Sequence, residues 1–129
     1  RVLKVLPHFL DLKGRHTLSP SLYDRDAYQA QLRQHPEQQS GMRFDVQWKA
    51  ADSRGQPLKL RLEIRGAAKG ERPGAKVIET EIVARSRWSR WTGVTVAGED
   101  YKQLGGITAW RVSLLDGETV LDQQQSFLW

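Results

Sequence analysis

Cysteine is absent from the 129 residues, which excludes a disulfide framework, a thiolate metal site and a cysteine nucleophile. Long apolar runs are missing too. The longest are triplets such as Ile82-Val83-Ala84 and Phe127-Leu128-Trp129, whereas a bilayer-spanning helix needs about eighteen residues, so no membrane span is expected. No serine stands in a Gly-x-Ser-x-Gly elbow. Gly66, Gly70 and Gly74 are not followed by the Gly-Lys-Ser/Thr ending that seats phosphate and magnesium in a P-loop. Histidine is confined to His8, His16 and His35. His8, Asp11 and His16 offer two nitrogens and an oxygen to zinc, but metal selectivity asks for tighter spacing or thiolates. His8 is therefore read as a strand residue and His16 as a turn residue, with no metal and no cofactor expected.

What is present belongs to a folded domain. Hydrophobic residues make up 39% of the chain and charged residues 27%, a balance far from that of disordered sequences. One domain over residues 1–129 accounts for the length, because two full cores would not fit. The chain starts at Arg1 rather than Met, as expected of a piece of a larger, secreted or periplasmic protein, while the composition leaves the compartment open.

From Met42 onward the apolar residues follow a period of two. Met42, Phe44, Val46, Trp48 and Ala50 fall on one face, and Arg43, Asp45, Gln47 and Lys49 on the other, as in a strand with one side buried. Asp52 to Pro57 reads as a turn, after which Leu58, Leu60, Leu62 and Ile64 alternate with Lys59, Arg61, Glu63 and Arg65. Gly66 to Ala75 reads as an exposed loop, Lys76 to Ala84 as a strand, and Trp91 to Ala97, rich in β-branched residues, as another. Gly98 to Gly106 reads as a polar connection. Asp116-Gly117 suits a tight hairpin turn between Ile107–Leu115 and Thr119–Trp129, with Trp110, Val112 and Leu114 inward.

The first forty residues behave differently. Val2 to Leu12 is apolar enough for a strand, and Pro7, which lacks a ladder donor, suits an edge strand or a kinked one. Ser21 is placed to cap a helix over Leu22 to Gln34 that Pro36 stops. Its apolar residues spread around the wheel, so the helix is expected to lie against the rest of the domain on a weak stripe.

Seven strands with one short helix inserted between the first two describe a mainly β, two-sheet antiparallel sandwich. In strand count and spacing over Arg1–Leu12 and Met42–Trp129 the chain resembles immunoglobulin-like and fibronectin type III domains. It departs from them in lacking a cysteine pair and in carrying the helix. The resemblance implies an immunoglobulin-like sandwich with Tyr101 as a candidate tyrosine corner. A small barrel is the alternative fold.

Charge is regional. The chain carries +5 with a pI of about 9.8. Between Arg54 and Arg90 alone, ten basic residues face four acidic ones, a net +6, so the remainder sums to −1. The tract ends in Arg85-Ser86-Arg87-Trp88-Ser89-Arg90-Trp91, where guanidinium groups could pair with phosphate, sulfate or carboxylate while an indole stacks on a base or sugar. The favoured reading is structural, with Trp88 or Trp91 anchoring the next strand in the core and the arginines solvated. Trp48 and Trp110 fall on inward registers, and Trp129 either closes the core or marks a cut from a longer chain.

A non-catalytic binding or interaction module results, partnered by an unidentified protein or by the rest of a larger one. The alternative is a module for an anionic polymer, polysaccharide or nucleic acid, gripped by Arg85, Arg87, Trp88 and Arg90 with Lys59, Arg61 and Arg65 on an outward strand face. A hydrolase stands third. Glu79 and Glu81 share a strand face, but exposed carboxylates at that spacing are solvated charge unless a cleft surrounds them, and no catalytic residue is assigned.

Overall fold

Alternation in the sequence becomes alternation in burial. The computed structural model describes residues 1–50, 57–67, 74–82 and 86–129, with Ser86 and Arg87 described by their backbone alone. In chain order the elements are β1 (Val2–Asp11), α1 (Leu22–Gln34), a 3-10 turn (Pro36–Gln38), β2 (Gln39–Ala50), β3 (Leu58–Gly66), β4 (Ala75–Ile82), β5 (Ser86–Ala97), α2 (Gly98–Leu104), β6 (Ile107–Asp116) and β7 (Thr119–Gln125). Two antiparallel sheets face each other, one ordered β1-β2-β5 and the other β4-β3-β6-β7. The chain is a mainly β, two-sheet sandwich.

Between the sheets, β2 contributes Phe44, Val46 and Trp48, and β3 contributes Leu58, Leu60, Leu62 and Ile64. Val94 and Val96 of β5 meet Val112 and Leu114 of β6 in the same cluster. Each such side chain contributes about 1.5–3 kcal/mol on leaving water. Trp48 is fully enclosed, and its Nε1–H donates to Thr92 Oγ1 at 2.9 Å, so the indole leaves no polar atom unpaired. Trp110 is half-buried and meets Phe44 edge-on at 6.1 Å between centroids.

The N-terminal segment is tied to the free side of β1. Ser21 accepts from the Asp24 amide, the expected N-cap, and α1 ends at the His35 C-cap before Pro36. Its one buried residue is Leu32, in keeping with the weak apolar stripe. Gln29 does more: its Oε1 accepts from Phe9 N–H at 2.7 Å and its Nε2 donates to Phe9 C=O at 2.8 Å, so one side-chain amide stands where a neighbouring strand would pair. Between β1 and α1 the chain winds around Asp11, which is 5% exposed. Asp11 accepts from the Lys13 and Arg15 amides, from Arg15 Nε and from Tyr28 O–H at 2.6 Å. Burial by itself raises the Asp11 pKa, but these donors outweigh it and hold the carboxyl at about 2.

Three assignments shift. The polar connection Gly98–Gly106 contains α2, because Tyr101 and Leu104, three apart, bury together on one helical face. Gly105, left-handed at φ 64°, then caps it. β5 starts at Ser86, so the Arg and Trp tract from Ser86 to Trp91 is itself strand. β7 ends at Gln125, where Ser126 turns the chain back by pairing with Trp110 through both backbone and side chain. The Asp116-Gly117 turn forms as expected, with Gly117 at φ 61°. The expected turn residues 52–56 and loop residues 68–73 lie outside the described residues.

Candidate functional site

The outer face of the four-stranded sheet carries Lys59, Arg61 and Arg65, as the alternation on β3 requires, and each has a partner there. Glu79 lies across on β4, 3.7 Å from Lys59 Nζ and 3.9 Å from Arg61 Nη2. Arg111 forks onto Glu63 at 2.9–3.1 Å. Arg65 stacks 3.9 Å from the ring centroid of Trp129, which Arg111 flanks at 4.9 Å. Trp129 therefore does not close the core. It lies on the outside of the sheet, held by two guanidinium groups against its ring.

The aromatic tract behaves otherwise. Trp88 is 76% exposed and Trp91 52% exposed, so neither anchors its strand in the core, contrary to expectation. The reason is register. Arg90 pairs with Trp48 and Trp91 with Gln47 across the β5–β2 ladder. Trp91 thus points to the outer face of the three-stranded sheet, opposite Val94 and Val96. Trp88 lies on the core side but beyond Trp48, where the packed interior has ended. Arg90 is exposed beside them, Arg85 lies outside the described residues, and only the backbone of Arg87 is described. Lys59, Arg61 and Arg65 sit on the other sheet and face away from it, so the structure does not bring the two predicted groups onto one surface.

Other residues join Trp91 instead. Lys4, Gln47 and Trp91 form a row across β1, β2 and β5 on the outer face, since Lys4 pairs with Gln47 and Gln47 with Trp91. Gln47 Nε2 donates to Ser89 Oγ at 3.2 Å, and exposed Lys49 follows on β2. Among the described residues Lys4, Lys49 and Arg90 make no ion pair. Lys4 and Lys49 were hidden from sequence reasoning because they lie about forty or more residues from the Arg and Trp tract; their outward parity was the one available signal.

Further along the same face lies a titratable cluster. His8, 7% exposed, places Nε2 3.5 Å from Asp45 Oδ2, and its ring lies 5.0 Å from that of His16. Arg43 binds Asp45 with Nε at 3.1 Å from Oδ1 and Nη2 at 3.1 Å from Oδ2, and Nη2 also packs on the His16 ring. Burial lowers the pKa of both histidines; Asp45 opposes this at His8, while Arg43 adds to it at His16. Asp11 is committed to Lys13, Arg15 and Tyr28 and does not reach these rings. Among the described residues no three His, Asp or Glu side chains converge to hold a metal ion, and no helix is long and apolar enough to cross a membrane.

Comparison of the chain with protein-family models, with curated proteins and with solved structures finds no match.

Proposed function

We propose that this chain is a non-catalytic, immunoglobulin-like or fibronectin type III-like sandwich that serves as a binding module, docking its partner on the Trp88–Trp91 end of the three-stranded sheet. One observation carries the reading: Trp88 and Trp91 stand exposed on either side of Arg90 along β5, Lys4 and Lys49 lie on the face that Trp91 shares, and none of the three cations is in an ion pair among the described residues. Tryptophan and arginine are the side chains that contribute most when an interface closes over them. The division of seven antiparallel strands into sheets of three and four supports the family reading. The tight mutual packing of His8, Asp45, Arg43 and His16 supports a structural role for that cluster, holding residues 12–21 to the sheet.

The partner is a protein, or a neighbouring part of a larger protein. A second reading, an anionic polymer, draws on the same cations and differs in its salt dependence, since counterion release makes such binding fall steeply as salt rises. Tryptophan emission is titrated with acidic peptides and with heparin at low and physiological salt. A saturable change with peptide that survives physiological salt and is lost in Trp91→Ala supports the module. Binding of heparin alone, lost on adding salt, supports the second reading. Absence of any response at low salt refutes both, and turnover in a panel of generic hydrolase substrates refutes the non-catalytic assignment.

A further inference from the structure

Sandwiches have four sheet edges, and an unpaired edge invites another strand unless something blunts it. Three are blunted here. On β1, Gln29 occupies the backbone of Phe9, Pro7 has no N–H to offer, and Val2 is bound by the side chains of Asp122 and Gln124. Those last two contacts come from β7 and bring its edge against β1. On β4, Lys76, Glu79 and Glu81 charge a strand of eight residues. The fourth edge is β5, twelve residues long, with no charged residue from Trp91 to Ala97 and no acidic residue anywhere in it.

The direction of its backbone follows from the ladder. Along an antiparallel strand each residue turns its N–H and C=O to one side, and successive residues alternate. Phe9 turns both groups to Gln29, away from β2. In the unbroken register that follows, Met42, Phe44 and Val46 turn theirs toward β5, where they meet Val96, Val94 and Thr92. Trp91, Gly93 and Thr95 must then direct their N–H and C=O groups outward. Among the described residues no other strand, loop or side chain meets them.

We infer that the partner docks by strand addition: an extended segment of another protein pairs with Trp91, Gly93 and Thr95 on the open edge of β5, with acidic residues at the end that reaches Arg90. This rests on the proposed binding function and specifies its partner. Charge favours this partner over a second copy of the chain, because antiparallel pairing of β5 with itself about Gly93 would set Arg90 opposite Val96 with no acidic residue in either strand to meet it, whereas an acidic segment matches Arg90 and the nearby Lys49. Trp91 offers such a segment an aromatic surface.

The probe is a synthetic peptide of alternating valine and threonine ending in a pair of glutamates, with a copy N-methylated on alternate residues so that one backbone edge cannot donate. The unmodified peptide should bind saturably and slow hydrogen exchange at the amides of Trp91, Gly93 and Thr95, while the methylated copy should bind at least about tenfold more weakly. Thr95→Pro removes one outward donor while leaving the β2 ladder intact, which proline tolerates at an edge, and should weaken binding comparably with an unchanged circular dichroism spectrum. Equal binding of both peptides overturns strand addition, even if Trp91→Ala still abolishes it and the docking face stands. No binding of either peptide overturns the segment and the protein-partner reading together. Self-association through β5, seen as a dimer in sedimentation and lost in Thr95→Pro, replaces the proposed partner with a second copy.

Discussion

Replacing Asp11 by asparagine tests how the N-terminal segment is held. Asp11 is 5% exposed and gathers four donors from Lys13, Arg15 and Tyr28. Its carboxyl is held at about 2 against an ordinary 3.8, a difference worth about 2 kcal/mol at roughly 1.36 kcal/mol per unit. A carboxylate whose folded pKa is depressed contributes stability that is fully present above its unfolded value and is lost as pH falls through its folded value. The amide of the variant can still accept from the backbone N–H groups, but it carries no charge for Arg15 and offers one acceptor oxygen in place of two. Asp11→Asn should therefore unfold about 2 kcal/mol more easily than the wild type in urea at about pH 7. The gap should narrow below about pH 4 and largely close near pH 2, once the native carboxyl is itself protonated. Because both proteins share every other titrating group, the difference isolates this one. A gap that stays constant from neutral pH down to about pH 2, or no gap at neutral pH, would refute the account.

Further outcomes are expected. Burial, with Arg43 adding at His16, keeps His8 and His16 neutral in the fold, whereas the unfolded chain protonates near the ordinary value of 6.5; stability should be full above that pH and decline below it. In His8→Gln the decline should be shallower, as read by denaturation at successive pH values. Leu32→Ala removes the one buried residue of α1 and should cost about 2–5 kcal/mol, with proteolysis in residues 12–34 accelerating before the sheets unfold. In Gly66→Ala the new methyl would collide with the backbone carbonyl of Leu104, so about 1–3 kcal/mol of destabilisation is expected, measured as a drop in the denaturation midpoint.

Strand alternation on β2 and β3, the Asp116-Gly117 turn and the Ser21 cap were all legible in the sequence, because each is a local rule: a period of two, a turn dipeptide, a side chain able to accept from an amide two or three residues on. Pro7 marked β1 as an edge or a kinked strand, and the sheet order places it at an edge. The α2 helix was not, since two buried residues in seven make no period. The fate of the aromatics lay further out of reach. Trp48 and Trp88 have the same side-chain chemistry, and strands supply an inward register for each. Only the ladder shows that Trp48 pairs with Val2 and Arg90 within the packed interior while Trp88 runs past its end. Likewise the sequence counted the charges but not their partners: the cations of β3 meet Glu79 and Trp129, brought from β4 and the chain's end, while Lys4 and Lys49 gather beside Trp91. The sequence by itself determined where most strands would form and which faces of β2 and β3 would be apolar, for those are short-range consequences of side-chain order. Tertiary structure alone decided which strand edge and which cations lack a partner among the described residues, because both depend on neighbours far away along the chain.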